Sequence, residues 1–299
     1  MRLKTYGVNI AHLTQDNSQI TNIQTVNSNN RMVDRRLTIK GSNIRYREFG
    51  ERSGGSKHLL FLHGLGSSSD RWVDLPEAFS RHYHTVAVDL IGFGGSDLPH
   101  LNYTINTFRE FVLDFMTSIQ IDDGKTTIIG HSLGGYIAAE IAIRNRSIVD
   151  SLVLIDSSGM LDKPTPLLNE YLEAAVSASP EKVKKVFEQL VAQSWRVFPI
   201  LVEVFINRIN RPGAKHAFES AFLNSTTTQI GLHRLKEIRD IRSLIIWGKN
   251  DNLIPVEHSK LFGQTIENSV LEIVEDAGHA PFAEKPAIFS EILHEFLEK

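Results

Sequence analysis

The sequence predicts an α/β protein with a mostly parallel sheet, because short apolar runs alternate with amphipathic segments along most of its 299 residues. The runs hold continuous Val, Ile and Leu, which is typical of strands covered by helices on both faces. Strands are predicted at residues 58–62, 85–88, 126–129, 152–155, 244–247 and 270–274. Crossover helices are predicted between them at residues 106–119, 134–144, 256–262 and 286–297.

The N-terminal part differs in character from this repeating pattern. Residues 14–31 are dense in Asn, Gln, Ser and Thr and can bury little, so residues 1–32 are predicted to form a polar extension. Two alternating segments at residues 36–39 and 43–48 then predict a hairpin around the turn Lys40-Gly41-Ser42. A glycine-rich turn at Gly54 and Gly55 follows.

The stretch between the strands ending at residue 155 and beginning at residue 244 is far longer than one crossover requires. Proline opens its candidate helices, as is common at the first helical position, and these helices span residues 166–178, 180–195, 199–209 and 212–223. We therefore expect an inserted helical cap at residues 160–236, between core segments 33–159 and 237–299.

Composition excludes several classes of function. The contents of 41% hydrophobic and 22% charged residues are ordinary for a globular protein, and a formal net charge of −3 gives no basic footprint for nucleic acid. The absence of cysteine excludes disulfides and thiolate metal sites. No apolar run approaches the roughly 20 residues of a membrane span, and the N-terminus lacks a signal-peptide pattern. We expect a cytoplasmic protein without nucleic-acid partners, and the oligomeric state stays open.

The clearest chemical motif is Gly130-His131-Ser132-Leu133-Gly134-Gly135, which lies between a predicted buried strand and a predicted helix. So sharp a strand-to-helix turn requires small flanking residues and exposes the serine hydroxyl. The helix N-terminus adds unpaired N–H groups beside it. G-x-S-x-G also occurs by chance in plain turns, but this placement predicts Ser132 as a covalent nucleophile.

A serine nucleophile needs a base within hydrogen-bond reach and an acid that orients the base. His279 lies in the loop Asp276-Ala277-Gly278-His279-Ala280-Pro281 after the last strand, where a parallel sheet forms its ligand crevice. His131 sits inside the turn and must point away from the serine. Of the twelve histidines, His279 is therefore the predicted base.

Two aspartates compete for the role of the acid. Asp251 follows the strand at residues 244–247 in Trp247-Gly248-Lys249-Asn250-Asp251, where its carboxylate could accept the His279 ring N–H and fix the tautomer. Asp156 follows the preceding strand and could reach the same region, although it could also cap a turn. Asp251 is the preferred prediction.

The chain order Ser132, Asp251, His279 resembles that of the α/β-hydrolase family. His63-Gly64-Leu65-Gly66 resembles the family's HG loop, and Asp89-Leu90-Ile91-Gly92-Phe93-Gly94-Gly95-Ser96 resembles its D-x-x-G-x-G-x-S turn. The resemblance runs from about residue 33 to the C-terminus, interrupted by the cap. It implies the α/β-hydrolase fold and an oxyanion hole formed by the backbone N–H groups of Leu65 and Leu133. His63 is expected to organise its loop.

The chemistry that follows is acyl transfer to water, which requires no metal and no organic cofactor. The segment at residues 198–206 is apolar on nearly every face, so it is expected to be buried as cap core, as an acyl-binding wall, or as both. Charges in the cap are mixed and select no charged substrate. We therefore expect an uncharged carboxylic ester with a small to medium apolar acyl group.

Two other functions remain open. Carbon–carbon hydrolases of meta-cleavage pathways share a serine triad and a helical cap, and Asp156-Ser157-Ser158-Gly159 resembles their segment after the strand. They usually carry tryptophan after the catalytic histidine, where this chain has Ala280. The third reading is a non-catalytic binding protein on the same fold, against which the intact Ser132, Asp251 and His279 argue.

Overall fold

The computed structural model describes residues 32–50, 55–72, 75–194 and 197–299. Three sequence predictions lie outside the described residues: nearly all of the polar extension at residues 1–32, Gly54 of the glycine-rich turn, and Trp195 at the end of a predicted helix.

A single mixed sheet forms the centre of the described structure. Its strands are β1 Val33–Ile39, β2 Ser42–Phe49, β3 His58–Leu62, β4 His84–Val88, β5 Thr126–His131, β6 Val149–Ile155, β7 Arg242–Gly248 and β8 Ser269–Val274. Their spatial order is β1-β2-β4-β3-β5-β6-β7-β8. The β1–β2 hairpin and the β2–β4 pair are antiparallel, and all later pairs are parallel. The mostly parallel α/β sheet predicted from the sequence is confirmed.

Helices connect these strands, and several begin or end within one or two residues of the predicted positions. They are α1 Leu75–Phe79, α2 Ile105–Ser118, α3 Leu133–Arg144, α4 Pro166–Ser177, α5 Pro180–Leu190, α6 Pro199–Ile209, α7 Ala214–Thr226, α8 Leu232–Leu235, α9 Glu257–Thr265, α10 Pro281–Glu284 and α11 Pro286–Leu297. Helices α4 to α8 all lie between β6 and β7, within the predicted insertion.

Alternate residues of each central strand supply two separate apolar cores. Leu60 and Leu62 of β3 belong to the core that includes α2, α3 and α9, whereas Leu59 and Phe61 belong to the core under α1 and α11. This division follows from the two-residue period of a strand. Both faces of the central strands are therefore covered.

Strand β8 departs from that expectation, because Val270 is 52% exposed and Ile273 36% exposed. β8 lies at the edge of the sheet and pairs only with β7 among the described strands. Its apolar sequence indicated a strand correctly, but an edge position leaves part of that strand without a covering layer.

Two helices of the insertion differ from their predicted bounds for identifiable reasons. Helix α5 ends at Leu190, because the Leu190 carbonyl accepts the His279 N–H at 2.7 Å and the next residues turn towards the same loop. Helix α7 begins at Ala214, since Gly213 has the left-handed φ of 89°, which an α-helix cannot contain.

Asp70 joins three parts of the fold through ion pairs. It lies in the short turn Ser69–Trp72 after the HG loop and contacts Arg45 at 3.0 Å, Arg47 at 3.4 Å and Arg208 at 2.6 Å. Arg45 and Arg47 belong to β2, and Arg208 belongs to α6. Burial raises the pKa of Asp70, but these three arginines outweigh that effect and lower it to about 2.

We expect Asp70→Asn to destabilise the protein by roughly 1–2 kcal/mol at neutral pH, after allowance for the partial exposure of the ion pairs. The folded-state pKa lies below the unfolded value, so this contribution is present above about pH 4 and is lost as the pH falls towards 2. Urea unfolding of both proteins at pH 7, 5, 4 and 3 measures it. Asp240→Asn, at a surface ion pair with Arg146, is the control and should cost little. The prediction would be contradicted if the difference in unfolding free energy between wild type and Asp70→Asn did not decrease as the pH is lowered.

Candidate active site

Ser132 occupies a strained turn between β5 and α3. Its φ is 54° and its ψ −118°, a region that residues other than glycine rarely adopt. Its N–H donates to Ile155 O at 2.9 Å, and its carbonyl accepts from Ser158 N at 3.1 Å. Both bonds reach the end of β6, so the neighbouring strand holds the turn in place.

The glycines around Ser132 are required by close backbone contacts. A Cβ atom on Gly130 would lie 2.3 Å from Gly134 O, and one on Gly134 would lie 2.3 Å from Leu62 O. Gly64 faces Ser132 directly, since its added Cβ would lie 3.0 Å from the Ser132 Cβ. A larger residue at these positions would push the HG loop or the helix away from the serine.

The backbone N–H groups of Leu65 and Leu133 are the ones predicted to form an oxyanion hole. Neither donates a hydrogen bond to another described residue, and both residues line the same cavity as Ser132. Leu133 is the first residue of α3, where helical N–H groups have no partner within the helix. Tyr171 of α4 donates its hydroxyl proton to Leu65 O at 3.2 Å and thereby ties the HG loop to the insertion.

His279 and Asp251 form a buried hydrogen-bonded pair. His279 Nδ1 lies 2.7 Å from Asp251 Oδ2, and the other carboxylate oxygen, Oδ1, accepts the N–H groups of Leu253 and Ile254 at 2.8 and 3.0 Å. Because the carboxylate accepts the Nδ1 proton, Nε2 of the neutral ring is left as the acceptor. His279 lines the cavity with Ser132, whereas Asp251 lies behind the ring.

Ser132 Oγ makes no hydrogen bond to the part of the chain that the structure describes. In enzymes without substrate, the hydrogen bond between nucleophile and base is often long and tightens only when substrate binds. The structure thus brings His279 and Asp251 into contact and places Ser132 on the same cavity wall, without a Ser132–His279 bond.

Asp156, the competing acid, is buried without any exposure and has the positive φ of 43°. Its Oδ1 accepts the Gly248 N–H at 2.9 Å. The carboxylate that is hydrogen-bonded to His279 Nδ1 is that of Asp251, not that of Asp156. Burial, and then the negative charge of Asp251, raise the pKa of Asp156 well above its usual range. Burial and the neighbouring Asp251 carboxylate therefore both favour the protonated form of Asp156.

Glu284 supports the His279 loop, and sequence reasoning missed it. Its Oε1 accepts the N–H groups of Gly278 at 2.9 Å and Ala280 at 3.3 Å, on either side of His279. Its Oε2 accepts Ala192 N–H of the insertion at 2.8 Å. A glutamate in the helix directly after the histidine loop was the only signal in the sequence, and it does not identify the backbone groups that the carboxylate binds.

Two other histidines have structural roles. His131 Nε2 donates to His279 O at 2.6 Å, and burial keeps the pKa of His131 well below its usual range, so this ring is neutral. His63 donates from Nδ1 to Gly64 O at 2.8 Å and accepts Leu90 N–H at 3.0 Å on Nε2. His63 therefore organises its loop, as the sequence suggested.

A cavity of about 650 Å³ opens in front of Ser132, between the strand ends and the insertion. Its wall is largely apolar on the side of the insertion, where it includes Leu168, Tyr171, Phe187, Leu201, Val204 and Phe205. The segment at residues 198–206 was expected to be buried. Val202 and Phe205 are buried, whereas Phe198 and Ile200, which line this cavity, are 57% and 50% exposed.

Asp156, Asp251 and His279 together form the kind of donor set that a metal ion could use, since one ligand atom of each lies within 4.8 Å of the others. Hydrogen bonds already occupy both Asp251 oxygens, one Asp156 oxygen and His279 Nδ1. A metal would have to break the His279–Asp251 pair. The arrangement of Asp156, Asp251 and His279 therefore fits proton transfer better than metal binding.

Comparison with known proteins agrees with this arrangement. A family model described as the alpha/beta hydrolase fold matches residues 57–286. The chain belongs to the α/β-hydrolase fold family. No helix of the described residues has the length and apolar character needed to cross a bilayer.

Relatives with hydrolase names cover most of the chain. It is 28% identical to a 2-hydroxy-6-oxo-2,4-heptadienoate hydrolase of Pseudomonas putida over 82% of this chain and 90% of that protein. It is 25% identical to a monoacylglycerol lipase of Bos taurus over 83% of this chain and 77% of that protein. A solved membrane phospholipase A, described as a bacterial virulence factor, superposes with a TM-score of 0.78 at 27% identity, covering 89% of this chain and 86% of its own.

The environments of the two aspartates predict different effects of the same substitution. Asp251→Asn should reduce kcat/KM by about 10⁴-fold, because an amide can present the wrong partner to His279 Nδ1 and shift its tautomer. Asp156→Asn keeps the shape of the side chain and an oxygen that can accept the Gly248 N–H, and asparagine tolerates the positive φ, so a loss below about tenfold is expected. Steady-state kinetics on one ester measures both. An equal loss in the two variants would contradict the assignment of the acid.

Proposed function

We propose that the protein is a serine hydrolase that cleaves carboxylic esters through an acyl-enzyme intermediate. The observation that supports this most directly is the 2.7 Å pair of His279 and Asp251 on the same cavity as the strained Ser132. Family membership, and relatives named as hydrolases and lipases, support the same chemistry.

In the proposed reaction, Ser132 Oγ attacks the ester carbonyl carbon while His279 Nε2 takes the hydroxyl proton. Asp251 holds the ring by its Nδ1–H and stabilises the imidazolium that forms. The negative charge on the carbonyl oxygen is accepted by the backbone N–H groups of Leu65 and Leu133, where losing one such donor typically costs about 100- to 1,000-fold in rate.

Collapse of this tetrahedral intermediate breaks the ester bond, and His279 gives its proton to the departing alkoxide. A water molecule then loses a proton to His279 and attacks the acyl-enzyme, which releases the carboxylic acid and restores the Ser132 hydroxyl. His279 acts as base and acid once in each half-reaction, so the cycle returns every proton.

The division of the chain into core segments 33–159 and 237–299 and a cap at 160–236 belongs to the same proposal. Helices α4 and α6 supply apolar side chains opposite Ser132, and the cavity of about 650 Å³ has room for a small to medium acyl group. The insertion also contacts the His279 loop at Leu190 and Ala192. It would therefore act both as a lid and as a support for the base.

A fluorophosphonate probe tests the nucleophile. We expect stoichiometric labelling at Ser132, found by peptide mass spectrometry, and loss of label in Ser132→Ala together with a fall in kcat of about 10⁶-fold. Ser158→Ala is the matched control, because Ser158 also lines the cavity but lies outside the turn. An unlabelled, folded wild-type protein would instead favour a non-catalytic binding protein.

Carbon–carbon bond hydrolysis is the second candidate, and it is favoured by relatives named as dienoate hydrolases. Ala280, in the position after His279 where those enzymes usually have tryptophan, argues against it. Comparing kcat/KM for 4-nitrophenyl butyrate with that for a dienol diketone separates the two. We expect the ester to be the better substrate, and faster cleavage of the diketone would overturn the ester assignment.

A further inference from the structure

Arg71 brings a positive charge to the reaction cavity from the core of the chain, whereas most of the apolar wall belongs to the insertion. It lies in the turn Ser69–Trp72 directly after the HG loop, and its side chain is half-buried in the cavity wall. Its neighbour Trp72 is buried against Phe61, His131 and Phe282, which fixes the direction of this turn.

The guanidinium of Arg71 has no hydrogen-bond or ion-pair partner among the described residues. Arg208, the other arginine that the described cavity wall contains, is paired with Asp70 at 2.6 Å. A guanidinium carries five N–H donors in one plane and stays charged. A charged group withdrawn from bulk water in this way is costly unless something pairs with it.

The nearby carboxylate that could pair with Arg71 is already engaged. Glu284 uses Oε1 for Gly278 and Ala280 and Oε2 for Ala192, so its oxygens hold backbone N–H groups of the His279 loop and the insertion. Burial lowers the pKa of Arg71, while the Tyr171 hydroxyl and the Glu284 charge act in the opposite direction. Glu284 therefore stabilises the charge of Arg71 from a distance and leaves its N–H donors open.

We propose that Arg71 is a specificity-determining residue that binds a singly charged anionic group of the substrate, a carboxylate or a phosphodiester, through its guanidinium. This rests on the proposed ester hydrolysis and refines its substrate class. The mixed charges of the cap select no charged substrate, but the core supplies the cation. One unpaired cation in the described wall matches one negative charge, and a planar guanidinium can hold two oxygens of such a group.

The proposal is tested with matched pairs of esters that differ in one charge. On the acyl side, the mono-4-nitrophenyl esters of succinic, glutaric and adipic acid are compared with their methyl esters. On the alcohol side, 3-carboxyphenyl butyrate is compared with its methyl ester. Methyl 2-butyryloxyethyl phosphate, a phosphodiester, is compared with its uncharged dimethyl triester. Proton release reports kcat/KM for each compound.

For wild type, we expect the anionic member of at least one pair to be preferred by about 10- to 100-fold, the range of a charge-assisted hydrogen bond. Arg71→Gln should remove that preference, and Arg71→Lys should keep part of it. Arg239→Gln, at an exposed arginine on the surface, is the matched control and should keep the wild-type ratio. The pair that responds tells whether the anion is a carboxylate or a phosphodiester.

A binding measurement makes this test independent of turnover. Calorimetric Kd values for the same pairs with Ser132→Ala should show the same preference, and Ser132→Ala/Arg71→Gln should lack it. Equal Kd and kcat/KM within every pair, or a preference that survives Arg71→Gln, would overturn the proposal. If neutral esters are hydrolysed and no charge preference is found, the proposed role of Arg71 is wrong, but the proposed ester hydrolysis stands. If no ester is hydrolysed, the proposed ester hydrolysis is wrong. The calorimetric Kd values then still test whether Arg71 binds the anionic group.

Discussion

The close approach of three backbone segments around Ser132 is the constraint on which the site depends. Leu62 at the end of β3, Gly130 at the end of β5 and Gly134 at the start of α3 lie so near one another that a Cβ on either glycine would come within 2.3 Å of a carbonyl oxygen. Within this close contact, Ser132 adopts its positive φ of 54°. The packing of the buried parallel sheet on one side of the turn and of α3 on the other compensates for this backbone strain. Ser132 and Leu133 both line the same cavity.

The second requirement, a correctly oriented base, is met by contacts from distant parts of the chain. His279 is held at its ring by Asp251, at its carbonyl by His131 and at its N–H by Leu190. Glu284 binds the N–H groups on both sides of it. The insertion thus contributes to the geometry of the base as well as to the pocket wall, so a change in its packing would affect catalysis and substrate binding together.

Four acidic side chains near the site are stabilised in different ways. Asp70 is paired with arginines, Asp251 binds a histidine and two N–H groups, and Glu284 binds N–H groups alone. Burial beside Asp251 favours the protonated form of Asp156. Since none of these groups satisfies Arg71, one cation in the described wall keeps its donors for a ligand. We therefore expect the arrangement of charged groups around the cavity to affect substrate specificity as directly as the apolar wall does.

The α/β architecture, the positions of most strands and of the longer helices, and the order of Ser132, Asp251 and His279 could be predicted from the sequence alone, because these features depend on local periodicity and on short motifs in which neighbouring residues set the backbone. Tertiary structure decided the rest. Residues of strand β8 remain exposed because, among the described elements, α9 and α11 cover this edge strand only in part, and α5 ends at Leu190 because its carbonyl accepts the His279 N–H. The contact of Asp251 with His279, and the unpaired state of Arg71 among the described residues, depend on which atoms from remote segments meet. No local sequence pattern encodes these contacts between remote segments.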